Sequence, residues 1–229
     1  MRILLVKPYN LSDHIQPSLG LGYLATALRS KHEVKILDCI KDNIRLESLP
    51  DHIRNFNPDV LGMQCYTFNL DFVRKSFAAA KEINPKVINI AGGPHPSAVP
   101  EETLVSLGRF VDFVFQGEAE IGFPLLLDKI EKGIDNGSLQ DVPGLAWREK
   151  GKVNLNKQDY QDNLDALGLP AWDLIHPERY PEAQHGAFFK NFPIAPIMIT
   201  RGCPYNCTFC AGGLISGKRI RKRSIDNVL

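Results

Sequence analysis

Three of the five cysteines fall inside Thr200-Arg201-Gly202-Cys203-Pro204-Tyr205-Asn206-Cys207-Thr208-Phe209-Cys210, in the spacing C-x-x-x-C-x-x-C. Thiolates this close concentrate negative charge, and the chemistry that suits them is a soft metal ion or an iron–sulfur cluster. A closed structural zinc site wants four donors, and no His or Cys follows Cys210. A four-iron cluster held by three thiolates instead leaves one iron free to bind another molecule. Two plainer readings stay open: a zinc knuckle that borrows His176 or His185, and cysteines that merely line a core. The apolar run Ile194 to Ile199 predicts a buried parallel strand leading into the loop, which would present the thiolates at the carboxyl edge of a sheet.

The elements that must position this loop follow from patterning. At 44% hydrophobic and 23% charged residues, the composition is that of a soluble chain able to build one or two real cores. A net charge of +1 gives no global pull towards nucleic acid or an anionic membrane. Apolar stretches are far shorter than a membrane span, and Lys7 interrupts the first too early for a signal peptide. An odd cysteine count with a metal-type cluster predicts a reducing, cytoplasmic setting rather than a disulfide scaffold.

From the amino terminus, strands and helices alternate. Strands are predicted at Arg2–Val6, Val34–Leu37, Asp59–Cys65, Lys86–Ala91 and Phe110–Phe115. Helices are predicted around Leu21–Leu28, Leu46–Phe56, Leu70–Ile83, Glu101–Leu107 and Glu120–Lys132. Five β–α units imply an α/β fold with a five-stranded parallel, Rossmann-like sheet of flavodoxin type. Ligands of such folds sit beyond the carboxyl ends of the strands, where the loops are 8–19, 66–69, 92–97 and 117–120. Gly92-Gly93-Pro94-His95-Pro96 is the sharpest, since paired glycines let backbone come close to a bulky ligand; a tight turn with a solvated His95 is the plainer reading. No G-x-G-x-x-G follows the first strand, which disfavours a dinucleotide. Cys39 and Cys65 follow apolar strands without partners at ligand spacing and are expected as small buried hydrophobes.

Past residue 140 the pattern changes. Gly144–Arg148 and Lys152–Leu155 flank Glu149-Lys150-Gly151, a predicted hairpin. Residues 162–180 are expected as a strap across both parts of the chain, with Trp172 as a packing anchor. Lys218-Arg219-Ile220-Arg221-Lys222-Arg223 holds five cations in six residues. A nucleic-acid patch is one reading, but a lone short cluster rarely suffices for it.

The cysteine stretch resembles the signature of the radical S-adenosylmethionine enzymes, C-x-x-x-C-Φ-x-C with an aromatic Φ, here with Phe209 directly before Cys210. The likeness extends through Pro17–Leu24, Gly92–Ser97 and Gly117-Glu118-Ala119-Glu120. These resemble landmarks of cobalamin-binding domains fused to radical S-adenosylmethionine barrels, as in the class B methylases and the anaerobic magnesium-protoporphyrin ester cyclases. By that resemblance Cys203, Cys207 and Cys210 hold a 4Fe-4S cluster, and its open iron chelates S-adenosylmethionine with Phe209 near the adenine. Cobalamin then contacts Tyr66, Thr67, Phe68, Asn69, Gly92, Gly93, Pro94, His95, Gly117, Glu118 and Glu120, the two carboxylates accepting hydrogen bonds from it. The basic run would stand at the barrel opening, holding the carboxylate of S-adenosylmethionine or the negative cluster.

Two departures matter. Domains that ligate cobalt by histidine carry D-x-H-x-x-G after the first strand; here Asp13 and His14 are adjacent and Pro17 replaces the glycine. No histidine is therefore expected below cobalt, and Phe68 is expected beneath the corrin, unless Phe68 and Tyr66 simply cap the core. Glu120 also sits at a helix start, where a carboxylate is favourable in any case. A methylthiotransferase would need a second set of cluster cysteines, which Cys39 and Cys65 do not supply.

The expected organisation is a cobalamin-binding domain at 1–138, a linker with a β-hairpin at 139–194, and the start of a radical S-adenosylmethionine barrel at 195–229. A full barrel takes on the order of 200 residues or more, so the chain reads as an amino-terminal piece, not active alone. The resemblance implies a parent enzyme that methylates an unactivated carbon of a small-molecule substrate, with an electron donor for the cluster and no nucleic-acid partner. Ring-forming cyclase chemistry is the alternative within the family, and a non-catalytic cobalamin- or metal-binding module the alternative outside it.

Overall fold

The computed structural model describes residues 1–10, 16–134, 139–182 and 189–229. Strand β1 (Arg2–Lys7) sets the architecture, because Ile3, Leu4, Leu5 and Val6 are all buried although successive side chains face opposite ways. A strand buried on both faces belongs at the centre of a parallel sheet covered by helices. Leu4 and Val6 join one core layer with residues of α2 (Leu49–Phe56), α3 (Leu70–Ile83) and α5 (Pro100–Leu107). Ile3 and Leu5 join the other layer with α1 (Leu19–Leu28) and α6 (Gly122–Lys132).

The remaining parallel strands are β2 (Glu33–Asp38), β3 (Val60–Gln64), β4 (Ile88–Gly92) and β5 (Phe113–Phe115). Their order is β2-β1-β3-β4-β5, with Leu4 opposite Lys35 on one side and Leu61 on the other. This is the predicted flavodoxin-type order. The chain winds outward from β1 to β2 and then back through β3 to β5, so a crevice opens where β1 and β3 end side by side.

The predicted hairpin forms as β6 (Leu145–Glu149) and β7 (Lys152–Leu155), turned through Lys150 and Gly151, both at positive φ as a two-residue turn demands. It is no free-standing hairpin. β6 pairs antiparallel with β5, Val114 opposite Ala146, and extends the sheet to seven strands. Buried Trp147 on β6 explains the attachment: its ring joins the core layer of α1 and α6.

Residues 157–182 then cross the molecule. The Ala171 amide donates to the Gly22 carbonyl at 3.1 Å, and Arg29 meets both oxygens of Asp173 at 2.7 Å. Helix α7 (Trp172–Ile175) anchors through Ala171 and Ile175, both in the core; Trp172, the expected anchor, is only half-buried. The same segment reaches the other side through the Gln158 amide on the Leu214 carbonyl and Asp162 on Arg219.

The run Ile194 to Ile199 is not the parallel strand expected. It is irregular, with Ala195 and Ile199 exposed and the other four residues only half-buried, and extended structure begins only at β8 (Thr200–Arg201), which pairs antiparallel with β9 (Arg221–Lys222). The run is apolar enough for a sheet, but no strand among the described residues lies beside it to satisfy its backbone. Among the described residues, no helix is long and apolar enough to cross a membrane.

Candidate functional site

A cavity of about 350 Å³ opens at the carboxyl ends of β1, β3, β4 and β5, where strand order reverses. Leu5, Gly62, Ile90, Phe115 and Phe123 make its floor, and Leu21 and Leu24 of α1 one wall. At Gly92 an added Cβ would meet nothing nearer than Phe115 at 4.0 Å, so the absent side chain is space given to the cavity. This is a mainly apolar slot with a few polar groups at its mouth, as small-molecule sites commonly are.

Among the residues expected at the ligand, Tyr66, Gly92, Gly93, Pro94, Gly117, Glu118 and Glu120 line the cavity. Thr67, Phe68, Asn69 and His95 do not; they build the rim. Asn69 is buried and its Oδ1 accepts from the Tyr66 amide at 2.8 Å, closing the short turn Thr67–Asn69. Its work is therefore to shape the loop. Thr67 Oγ1 lies 3.0 Å from His95 Nδ1, joining the loops after β3 and β4, whereas His95 Nε2 is buried without a hydrogen-bond partner. Helix α4 (Pro94–Ala98) starts at once after Gly93, with Pro94 at its first position, where a missing amide hydrogen costs nothing.

Phe68 stacks on Tyr66 with ring centroids 5.3 Å apart and planes 15° off parallel. Phe68 is 69% exposed, so it does not cap the core; it offers an aromatic face beside the cavity mouth. Ser97, not singled out beyond its place in the motif, is fully buried. Its hydroxyl donates to the Gly93 carbonyl at 2.7 Å and accepts from the Gly117 amide at 2.9 Å, clamping two rim loops together.

Glu118 and Glu120 are occupied by protein. Arg201 meets Glu120 at 2.8 Å and Glu118 at 3.2 Å, and Arg221 meets Glu118 at 2.6 and 2.9 Å. All four side chains are at most 9% exposed. Burial by itself lowers the Arg201 guanidinium; Glu120 and Glu118 outweigh it, and the net shift is upward, so the charge persists. The two carboxylates expected to accept from a ligand thus already accept from guanidiniums while lining the cavity, and Arg221 of the basic run is committed to Glu118. Arg223 is buried as well, on the Gly168 carbonyl at 2.7 Å and Asn227 Oδ1 at 2.6 Å, so the exposed cations of that run are Lys218, Arg219 and Lys222.

In the cysteine loop Cys203 is half-buried, and Cys207, Cys210 and Phe209 are exposed. The Cys203 amide donates to the Gly217 carbonyl at 2.9 Å, and the Gly212 amide lies 3.3 Å from Cys210 Sγ. Among the described residues, no three Cys, His, Asp or Glu side chains converge closely enough to hold a metal ion. Three cysteines on one short loop suit an iron–sulfur cluster as a donor set, but their sulfurs are not assembled around a common centre. His176, a candidate fourth zinc donor, has Nδ1 3.1 Å from Glu178; His185, Asp13 and His14 lie outside the described residues. Cys39 and Cys65 are buried, as expected of small hydrophobes, and burial drives both thiols upward, Cys65 to about 12.

With this geometry in place, comparison with known proteins is decisive. The B12 binding domain family matches residues 12–127. The chain belongs to that B12-binding family. It is 34% identical to the uncharacterized methyltransferase PH0819 of Pyrococcus horikoshii over 100% of this chain and 49% of that protein. It is 28% identical to cytidylyl-2-hydroxyethylphosphonate methyltransferase of Streptomyces wedmorensis over 92% of this chain and 47% of that one. Anaerobic magnesium-protoporphyrin IX monomethyl ester cyclase of Rubrivivax gelatinosus aligns over 92% of the chain at 24% identity, covering 38% of the cyclase. The B12-binding chain thus spans about half the length, or less, of these relatives. Among solved structures, the cobalamin-dependent S-adenosylmethionine radical enzyme OxsB with aqua-cobalamin bound superposes with a TM-score of 0.77 at 18% identity, over 99% of this chain and 30% of OxsB. That likeness shows a shared fold.

Proposed function

We propose that this chain is the cobalamin-holding portion of a radical S-adenosylmethionine enzyme that methylates an unactivated carbon of a small molecule. The cavity carries the reading: an apolar slot at the switch point of a B12-binding sheet, with Gly92 giving it space and a stacked aromatic pair at its mouth. At about 350 Å³ the slot cannot enclose a corrin macrocycle with its side chains, but it suits the flat base and sugar of the nucleotide arm. The macrocycle would rest on the rim over Phe68 and Tyr66. No described histidine lines the cavity, so none of the lining side chains would supply an imidazole to cobalt.

When bound, cobalamin supplies a methyl-carrying cobalt, and a 4Fe-4S cluster with S-adenosylmethionine supplies one-electron chemistry. The chain's own residues hold and exclude. Leu21, Leu24, Phe115 and Phe123 dry the slot, Ser97 fixes the spacing of two rim loops, and Cys203, Cys207 and Cys210 would hold the cluster. An external electron donor would serve it. Because cyclases align with the same chain, ring formation is the second reading, and product analysis of the whole enzyme separates the two.

The test is incubation with hydroxocobalamin, then gel filtration and a corrin spectrum of the protein peak, beside anaerobic reconstitution with ferrous iron and sulfide. Co-eluting corrin and about four irons per chain with cluster absorbance are expected. A protein peak free of corrin overturns the cobalamin assignment. One zinc per chain, or no iron after reconstitution, overturns the cluster assignment.

A further inference from the structure

The four buried charges beside the cavity form a mechanical link. Glu118 and Glu120 lie on the loop after β5 and line the cavity. Arg201, which also lines it, stands two residues before Cys203 and bonds to both carboxylates. Arg221 ties Glu118 to the strand paired with β8, and donates to the Ser216 and Gln161 carbonyls at 2.8 and 3.0 Å. Two carboxylates face two guanidiniums, so the cluster carries no net charge.

A second contact reaches the opposite wall. Tyr23 of α1 is fully buried between Arg201, 4.7 Å from its ring centroid, and Arg223, at 5.2 Å. Leu21 and Leu24, on either side of Tyr23, line the cavity. Both walls are therefore fastened to the residue that leads into the cysteine loop. Between Arg201 and Cys203, Gly202 has φ of +99° and packs against the Arg219 carbonyl so closely that no side chain fits there. Only this one residue separates the gripped arginine from the first cysteine.

We propose that Arg201, gripped by Glu118 and Glu120, is a positioning residue that couples filling of the cavity to iron loading on Cys203, Cys207 and Cys210. The proposal rests on the cobalamin and cluster reading above. Apolar side chains of similar volume would hold the two parts together as firmly, because the desolvation of buried ions offsets most of their attraction. Charges in a fork geometry add a fixed register, since Arg201 satisfies both carboxylates only in one placement. A ligand that presses Gly117, Glu118 or Leu21 moves that placement, and the loop that must gather three sulfurs moves with it. By reciprocity, a loop closed on iron must change the affinity of the cavity by the same factor.

The experiment uses the chain as it stands, with hydroxocobalamin affinity read from the corrin spectrum before and after anaerobic iron–sulfide reconstitution. Wild type is expected to show affinities differing by about fivefold or more between the two states. In Glu120→Gln the ratio of the two affinities falls towards one, whatever the affinity itself becomes; Glu120→Asp restores part of it. Where Glu120→Gln does not fold, Arg201→Lys, which keeps the charge but meets one carboxylate, carries the same expectation. Amide exchange over residues 202–217, measured without cofactors, is expected to quicken several-fold in either variant.

Unchanged exchange, or wild-type affinities that do not depend on loading, overturns the coupling and leaves the cobalamin and cluster assignments standing. A wild type that takes up no corrin, or no iron, overturns that assignment and the coupling with it.

Discussion

The Tyr180 hydroxyl donates to Asp38 Oδ2 at 2.6 Å across 142 residues of chain, pinning the crossing segment to the end of β2. The same carboxylate accepts from Lys7 Nζ at 3.0 Å, and its other oxygen from the Ile40 and Lys41 amides at 3.0 and 3.1 Å. Removing the tyrosine hydroxyl leaves Asp38 satisfied by these other donors. Tyr180→Phe is therefore expected to cost only about 1 kcal/mol, the net worth of one hydrogen bond, read as a shift in the urea midpoint at unchanged slope. A loss of several kcal/mol would show that the hydroxyl holds the whole segment in place.

Alkaline pH tests three acids at once, two buried and one half-buried. Burial pushes the Cys65 thiol from 9.0 up to about 12, and pushes Cys39 and Tyr180 upward too, the last two helped by neighbouring Asp38. A group whose acid form is favoured by folding adds stability fully present below its unfolded value. Above that value the unfolded chain ionises first and binds fewer protons, so stability falls until the folded value is passed. For Cys65 that window runs from 9.0 to about 12. Thermal midpoints are expected to hold steady to pH 8.5 and to drop steadily from about pH 9 upward. Cys65→Ala should flatten part of the slope; an identical slope in the variant would sink the assignment.

Gly92 separates ligand space from structural need. A Cβ there meets only Phe115 at 4.0 Å within the fold, so Gly92→Ala is expected to leave the melting temperature within a few degrees of wild type. Because Gly92 lines the cavity, Gly92→Val adds further volume beside it, and hydroxocobalamin affinity is expected to fall by about tenfold or more. Equal affinity in the variant would show that the slot is not used. Gly62 is the contrast, because a Cβ there lies 2.9 Å from Leu5 Cδ2 and the cost appears in folding instead.

The sheet was legible because burial on both faces leaves continuous apolar runs such as Ile3 to Val6, and the hairpin because Gly151 stands between two strand-like runs and takes the positive φ its turn needs. The same apolar signal misled at Ile194 to Ile199, since apolarity announces burial and says nothing of which strand will lie alongside. The pairing of Glu118 with Arg221 was hidden for a different reason. Its partners stand 103 residues apart, and no local pattern announces a contact of that range. One trace was present in the basic run. Arg221, Lys222 and Arg223 alternate buried, exposed, buried, the period-two pattern of a strand, and the cations that recur at that period face inward.

Phe68 provides the sharpest separation of binding from folding. Its ring touches solvent over 69% of its surface and stacks only on Tyr66, 5.3 Å away, so truncation removes one aromatic pair worth about 0.5–1.5 kcal/mol at most. Phe68→Ala is expected to shift the unfolding midpoint little while weakening hydroxocobalamin retention on gel filtration several-fold. It is also expected to change the visible spectrum of bound corrin, because on the proposed placement water would reach a face of the cobalt that the ring would otherwise cover. Phe68→Leu, which keeps an apolar cover without a flat face, should recover the spectrum more fully than the affinity. If Phe68→Ala instead binds corrin as tightly as wild type with an unchanged spectrum, the macrocycle does not lie on this rim and the aromatic pair serves some other surface.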